Sequence, residues 1–412
     1  MTRSARQSKL MRLLLLLLPL FFVLTACTAS TGIFASGNWQ TGTLQQEHIR
    51  SLAVDPNNPQ NIYAGDASDG VFVSADGGTT WKQQQSGLPP NIAINALAFD
   101  DPGKKLYVAT DAGVYASADA AKSWTQVGSG SLPVDKYTAI AFDLKTPQII
   151  YVASAQHGVF VSFNGGTSWA TASQGLSAGV TINDLVFDSS AHQLWAATSM
   201  GIYRSSNGGR TWQALNNGLP AGIDAYAVLP AATAGGAQGL VYAGTNEGFF
   251  ISQDAAAHWQ ASQTQLILVS IYAIRIDIHT PTTVYIATGT AGVLQSSNSG
   301  QIWQGVATGL PQHQRVYALV QGTTNYSQTF AAMNNVYLYP GTGSIFDSAR
   351  LLPLLLIVAF FYLLLRMSSR ARRKSRPLLA TESDTESDSP VEKPASLPEP
   401  PIRPASNNEN NN

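Results

Sequence analysis

The sequence predicts an all-β fold: a seven-bladed β-propeller, closed by its own N-terminal strand and followed by one transmembrane helix and a disordered tail. Three observations predict it. Six variants of Ser-x-Asp-x-Gly-x-Thr-Trp, starting at Ser74, Ser117, Ser162, Ser205, Ser252 and Ser296, recur at about 44 residues, the period of propeller blades. Each variant sits among short β-branched and aromatic runs separated by turn residues. The last such group stops one strand short, while an orphan Asn38-Trp39-Gln40 stands near the other end of the chain.

Composition sets the outer bounds. Lys and Arg number 24 against 25 Asp and Glu in 412 residues, and the basic residues cluster near the ends, so a nucleic-acid surface is not expected. The single cysteine, Cys27, rules out an internal disulfide. Stability must come from the core and from ring closure.

In chain order, residues 1–27 have a basic start, an apolar run Leu13–Leu24 and then Leu24-Thr25-Ala26-Cys27. This is the layout of a secretory signal, and its last four residues resemble the bacterial lipobox. That resemblance implies lipidation of Cys27, the alternatives being a plain signal peptide or an uncleaved anchor. Residues 28–37 read as a linker, and residues 38–342 as the propeller.

Within the propeller, one blade reads Ile94-Asn95-Ala96-Leu97-Ala98-Phe99-Asp100, then Lys105–Asp111, Gly113–Ser117 and Ser123–Val127. Inner strands of the same kind start at Ile49, Ile94, Tyr137, Ile182, Ile223, Ile271 and Val316. Third strands start at Val71, Val114, Val159, Ile202, Phe249 and Val293, each after a glycine suited to a hairpin turn. The final blade has strands at Val316, Thr329 and Val336 but lacks a fourth. Trp39 matches Trp81, Trp124, Trp169, Trp212, Trp259 and Trp303, so the N-terminal strand is expected to complete that blade and remove the open edges.

Residues 348–367 contain Leu351–Leu365, unbroken apolar residues apart from the uncharged Pro353 and short against the ~20 residues of a comfortable bilayer span. Arg350 and Arg366 can extend it by snorkelling. The basic cluster from Arg366 to Arg376 places the following segment in the cytoplasm. The predicted localisation is the cell membrane, with the propeller on its extracytoplasmic side. Residues 368–412 lack the apolar content for a core and read as a disordered cytoplasmic tail. Its Thr381, Ser383, Thr385 and Ser387 lie among acidic residues; they read as solvated, with phosphorylation the alternative.

The six repeats resemble the Asp-box, or BNR repeat, found in sialidases, sortilin-type receptors, xyloglucan-cleaving glycosidases and the photosystem II assembly factor of cyanobacteria and plastids. The resemblance covers most of 38–340 and bears on fold more than on function. The box residues Asp76, Asp119, Asn164, Asn207, Asp254 and Asn298 suit acceptors of backbone N–H bonds inside a tight turn. Mixing Asp with Asn at one position argues against a metal ligand or a catalytic carboxylate. No metal site and no cofactor are expected, with calcium at these turns the alternative. The copies without glycine, Ser117–Trp124 and Ser252–Trp259, are expected to have looser turns. Each tryptophan is expected to bury its ring between blades.

The resemblance implies that function lies on the face opposite the boxes. There the loops between second and third strands carry Asp66, Ser68, Asp69, Asp111, Gln156, His157, Asn246 and Glu247, and Gly-Leu-Pro links join the blades. A variable position near the start of each inner strand, Arg50, Asn95, Thr138, Asn183, Asp224, Tyr272 and Tyr317, is expected to ring the mouth of a central channel. The ring serves either ligand binding or solvation of a wet channel.

Two function classes remain. A sialidase-like site needs an arginine triad, a tyrosine paired with a glutamate and an acidic proton donor. Arg50, Arg275 and Arg315 are candidates for the triad, but the propeller has only Glu47 and Glu247. A glycan-active hydrolase of another kind would draw its acid and base from Asp66, Asp69, Asp111 and Asp224. The favoured reading is a non-catalytic scaffold, anchored to the membrane and engaging a protein partner through its loop face, as the assembly-factor and sortilin-like relatives imply.

Overall fold

The computed structural model describes residues 38–44, 48–100, 105–262, 266, 268–306, 308–322 and 328–339. Cys27, the 28–37 linker, Glu47, the 348–367 segment and the tail lie outside the described residues. Among the described residues no helix is long and apolar enough to cross a membrane.

Seven antiparallel four-stranded sheets form seven blades. Their inner strands are Ile49–Val54, Ile94–Phe99, Tyr137–Phe142, Ile182–Asp188, Ala225–Pro230, Ile271–Ile276 and Ala318–Gln321. Each inner strand touches those of the blades on either side. Alternating direction puts the starts of the inner strands and the second-to-third loops on one face. The box turns, between third and fourth strands, lie on the other. The seventh sheet takes Ala318–Gln321, Thr329–Ala332 and Val336–Tyr339 from the C-terminal side and Gln40–Thr41 from the N-terminal side. Gln40 pairs with Leu338 and Thr41 with Tyr337, so the ring closes as its sequence predicts.

Two inner strands start later than predicted: blade five at Ala225 rather than Ile223, and blade seven at Ala318 rather than Val316. Four third strands begin on the glycine itself, at Gly113, Gly158, Gly201 and Gly248. The core is divided into seven apolar clusters, each between two blades. Trp212 packs with Tyr151, Leu185 and Tyr203, Trp259 with Trp195, Val228 and Phe250, and Trp39 with Tyr285, Leu319 and Tyr339. Of Trp39 and the six box tryptophans, six are buried and Trp81 is half-buried, so one large ring per interface joins blades whose own strands are short, less completely at blade one than expected.

All six boxes share one hydrogen-bond plan. The serine Oγ accepts the N–H four residues on, at 2.8 Å for Gly78, 2.9 Å for Ala121, 2.8 Å for Gly166, 2.9 Å for Gly209, 2.8 Å for Ala256 and 2.9 Å for Gly300. The Asp or Asn Oδ1 also accepts the N–H four residues on, as at Thr80 (2.8 Å), Ser168 (2.9 Å) and Ile302 (2.8 Å). Asp and Asn serve alike because Oδ1 accepts in both, while the other side-chain atom meets the hydroxyl four residues on where one is present, Asp119 Oδ2 accepting from Ser123 at 2.6 Å and Asn164 Nδ2 donating to Ser168 at 2.8 Å. The glycine-free copies are not looser. Ala120, Ala121, Ala255 and Ala256 take φ of 61°, 67°, 58° and 68°, the left-handed conformation of their glycine counterparts, with the same bond lengths. The serine and carboxylate bonds hold alanine in a backbone state it normally avoids.

Hydrogen bonds from the Thr80 hydroxyl, the Ser123 hydroxyl and the His258 ring, first among several, hold Asp76, Asp119 and Asp254 near pKa 2, below the usual 3.8. A carboxylate with a depressed folded pKa stabilises the fold above its unfolded value and loses that contribution as pH falls through the folded one. Unfolding midpoints in urea should therefore drop between about pH 4 and about pH 2. Replacing all three with Asn, the residue of the other three boxes, should flatten that drop while leaving the neutral-pH midpoint nearly unchanged. An equally steep acid limb in the triple variant would assign the effect to other carboxylates.

Candidate functional site at the channel mouth

The inner strands surround a cavity of about 290 Å³, lined by a segment from every blade. In blades one to six the pairing register slips between the first and third residues of the inner strand. The residue left over is Arg50, Asn95, Thr138, Asn183, Tyr226 or Tyr272, and Tyr317 precedes the seventh inner strand. A bulge re-aims the side chain it displaces, and all seven residues line the cavity. Six of them are the predicted ring. In blade five the ring residue is Tyr226, not Asp224, because that strand starts two residues late. The aligned runs Ala225-Tyr226-Ala227-Val228, Ile271-Tyr272-Ala273-Ile274 and Val316-Tyr317-Ala318-Leu319 carry the signal that locates it.

The ring has two unlike halves. In blades two to four each polar side chain donates to a carbonyl of the next blade: Asn95 to Tyr137 O at 2.9 Å, Thr138 to Ile182 O at 2.7 Å, Asn183 to Ala225 O at 2.8 Å. Asn95 and Asn183 also donate to Asp111 and Asp224, at 2.8 and 2.9 Å. These groups belt the ring together. In blades five to seven the side chains are aromatic and stack. Tyr226 lies on Tyr272 with ring centroids 4.7 Å apart. The Arg315 guanidinium lies 4.0 Å from the Tyr272 ring centroid and 5.4 Å from that of Tyr317, and donates to the Tyr272 hydroxyl at 2.6 Å. Arg50, exposed in the adjoining blade one, completes the arc. The result is a cationic, aromatic half-rim with its side chains already ordered.

The remaining predicted face residues divide by burial. Asp66 is fully buried and accepts N–H groups of His48, Ser68 and Asp69 at 2.5, 2.8 and 2.9 Å. It shapes its loop and presents no carboxylate to solvent. Asp69 is exposed. Asp111 pairs with Lys136 at 3.6 Å. His157 meets the buried Asp135 at 3.0 Å. Glu247 is half-buried in the loop of blade five. Burial raises the pKa of Asp224 against the hydrogen bonds of Asn183 and Tyr226, and burial with the Asp224 charge raises that of Tyr226. The arginine triad does not share one level: Arg50 stands in the rim, Arg275 lies deeper in the channel, and Arg315 is stacked on Tyr272.

The family profile described as photosynthesis system II assembly factor YCF48 matches residues 31–331. Among solved structures, YCF48 from Cyanidioschyzon merolae aligns with a TM-score of 0.56 at 15% identity, over 74% of this chain and 98% of that one. A structure of YCF48 bound to a D1 peptide aligns with a TM-score of 0.57 at 16% identity, over 74% and 97%. The GH74 xyloglucanase from Xanthomonas campestris aligns with a TM-score of 0.60 at 15% identity, over 76% of this chain and 55% of the enzyme. This chain thus spans about half the length of that enzyme, and at such identities the likeness is one of fold. No curated protein matches the chain. Matched over most of its propeller, the chain belongs to the photosynthesis system II assembly factor YCF48 family.

Proposed function

We propose that this protein is a non-catalytic extracytoplasmic scaffold, anchored to the membrane through Cys27, the Leu351–Leu365 segment or both, that grips a protein partner with the rim of its channel. The observation that carries this reading is the stacked arc of Tyr226, Tyr272, Arg315 and Tyr317. Tyrosine and arginine dominate the energetics of protein interfaces. Groups already stacked in the free protein lose little side-chain freedom on binding. A YCF48 relative has been solved with a D1 peptide, which supports a protein ligand for this arc. Anchoring beside membrane-embedded partners raises their effective concentration. The hydrolase reading loses Asp66, one of its four carboxylates, to the loop interior.

Affinity purification of the full chain from membranes tests the proposal. A partner should co-purify, and the protein should stay with the membrane through a high-salt wash. Tyr272→Ala combined with Arg315→Ala should weaken capture by about 30-fold or more, since one hot-spot truncation costs about 2 kcal/mol. Lys122→Ala, on the box face, should change nothing. Capture insensitive to the rim pair would remove the arc from the interface. Turnover of a glycan that Asp224→Asn abolishes would replace the scaffold with a hydrolase.

A further inference from the structure

Below the rim, the channel holds two charges that the scaffold reading does not use. Asp184 follows the bulge of blade four, and Arg275 lies two register positions deeper in blade six, about 7 Å along the strand direction. Both line the same cavity. At the register of Asp184 the other inner strands place Ser51, Ala96, Ala139, Ala227, Ala273 and Ala318. At the register of Arg275 they place Ala53, Ala98, Ala141, Val186, Leu229 and Val320. Small side chains at the level of Asp184 leave the room that the cavity occupies.

Neither charge has a direct counter-ion. The ion pairs among the described residues join other groups. Asp184 accepts the N–H groups of Leu185 at 2.9 Å and Val228 at 3.2 Å. The Arg275 guanidinium donates to Ile274 O at 3.2 Å, which uses one of its five N–H groups. Arg275 is exposed to the water of the channel and also lines a second cavity beyond it, while Asp184 is half-buried. Burial raises the pKa of Asp184 and lowers that of Arg275, and each charge partly offsets the effect on the other. Two charges of opposite sign that line one cavity without forming an ion pair leave a gap a ligand can bridge.

We infer that the channel interior is a binding site for a small zwitterion, with its ammonium on Asp184 and its carboxylate on Arg275. The ligand is of the size of a short amino acid and enters past the rim ring. A mono-anion would leave Asp184 unpaired, and a mono-cation would leave Arg275 unpaired, so both charges are needed on one molecule. The site is separate from the rim arc, so its failure leaves the scaffold reading standing.

Calorimetric titration of the full chain in mild detergent tests this with glycine, β-alanine, γ-aminobutyrate and 6-aminohexanoate. Acetate and methylammonium serve as single-charge probes. At least one zwitterion should bind saturably, with a best chain length that reports the gap, and neither single-charge probe should. Asp184→Asn and Arg275→Gln should each weaken binding by about tenfold or more, and Ala273→Leu, which fills the cavity and keeps both charges, should abolish it. Melting curves without ligand identify any variant that has lost its fold, and the remaining variants then decide. Silence from all four zwitterions, acetate binding as well as the best of them, or binding that survives Arg275→Gln in a folded protein would each overturn the site.

Discussion

Trp39→Ala should lower stability by about 3–5 kcal/mol, the usual cost of deleting a buried tryptophan. At roughly 2–4 °C per kcal/mol for a large domain, that is a fall in Tm of about 10 °C. The ring is 4% exposed and lies 5.2 Å from that of Tyr339. Its N–H groups go to Val306 O from the indole and to Thr308 O, at 3.0 Å, from the backbone. No other blade has its fourth strand at the opposite end of the chain, so these contacts join the Gln40–Leu338 and Thr41–Tyr337 pairing and the apolar cluster between blades one and seven in holding the two ends of the propeller together. Without them, Val336–Tyr339 becomes an unpaired edge, open to pairing between molecules. Trp81→Ala, at a half-buried ring within one continuous blade, should cost less. Melts followed by light scattering check both expectations. A Trp39→Ala protein that melts within about 2 °C of the parent and stays monomeric would mean that closure does not govern stability.

Much of this fold is legible because its code is local and repeated. A box serine bonds a residue four positions on, and a strand pairs with its neighbour across a short turn, so short-range pattern is enough to count blades and find the closing strand. What the sequence hides depends on distant partners. Ile223-Asp224 resembles the start of an inner strand, but the bulge falls at Tyr226, where the register of blade five sets it. Ala120 and Ala255 suggest loose turns by residue type, yet their neighbours impose the tight one. Asp66 has the composition of a surface loop and is buried, because three N–H groups converge on it. The rim arc needs Tyr226, Tyr272 and Arg315 from three blades, and Arg315 stands outside any periodic position. The Gly-Leu-Pro links, and the Gly-Leu-Ser link at Gly175, read as connections between blades on the loop face, whereas the structure makes their glycines contact points with the next blade's tryptophan.

That last difference carries the second large effect. A Cβ on Gly218, where φ is +93°, would stand 2.2 Å from the backbone oxygen of Trp259 in the adjoining blade. Gly87 meets Trp124 O at 2.1 Å, Gly175 meets Trp212 O at 2.5 Å, and Gly309 meets Trp39 O at 2.6 Å in the same way. In each case the preceding residue, Ser86, Gln174, Asn217 or Thr308, accepts the tryptophan N–H at 2.8, 2.8, 2.8 and 3.0 Å. The link of one blade thus clasps the backbone of the next blade's tryptophan, and only glycine permits the approach. Gly218→Ala adds left-handed backbone strain of about 1–3 kcal/mol to an overlap with main chain that cannot rotate away, about 1–3 kcal/mol more. The expected loss is about 2–6 kcal/mol. Gly222→Ala is the matched control, since its φ is +72° but nothing lies within 4 Å of the added carbon, so it should lose the strain alone. Gly309→Ala should behave like Gly218→Ala, and it should also weaken ring closure, because its partner is the N-terminal Trp39. Urea unfolding of the three variants ranks them directly. Equal midpoints for Gly218→Ala and Gly222→Ala would show that backbone conformation sets the cost, and that the clasp adds nothing.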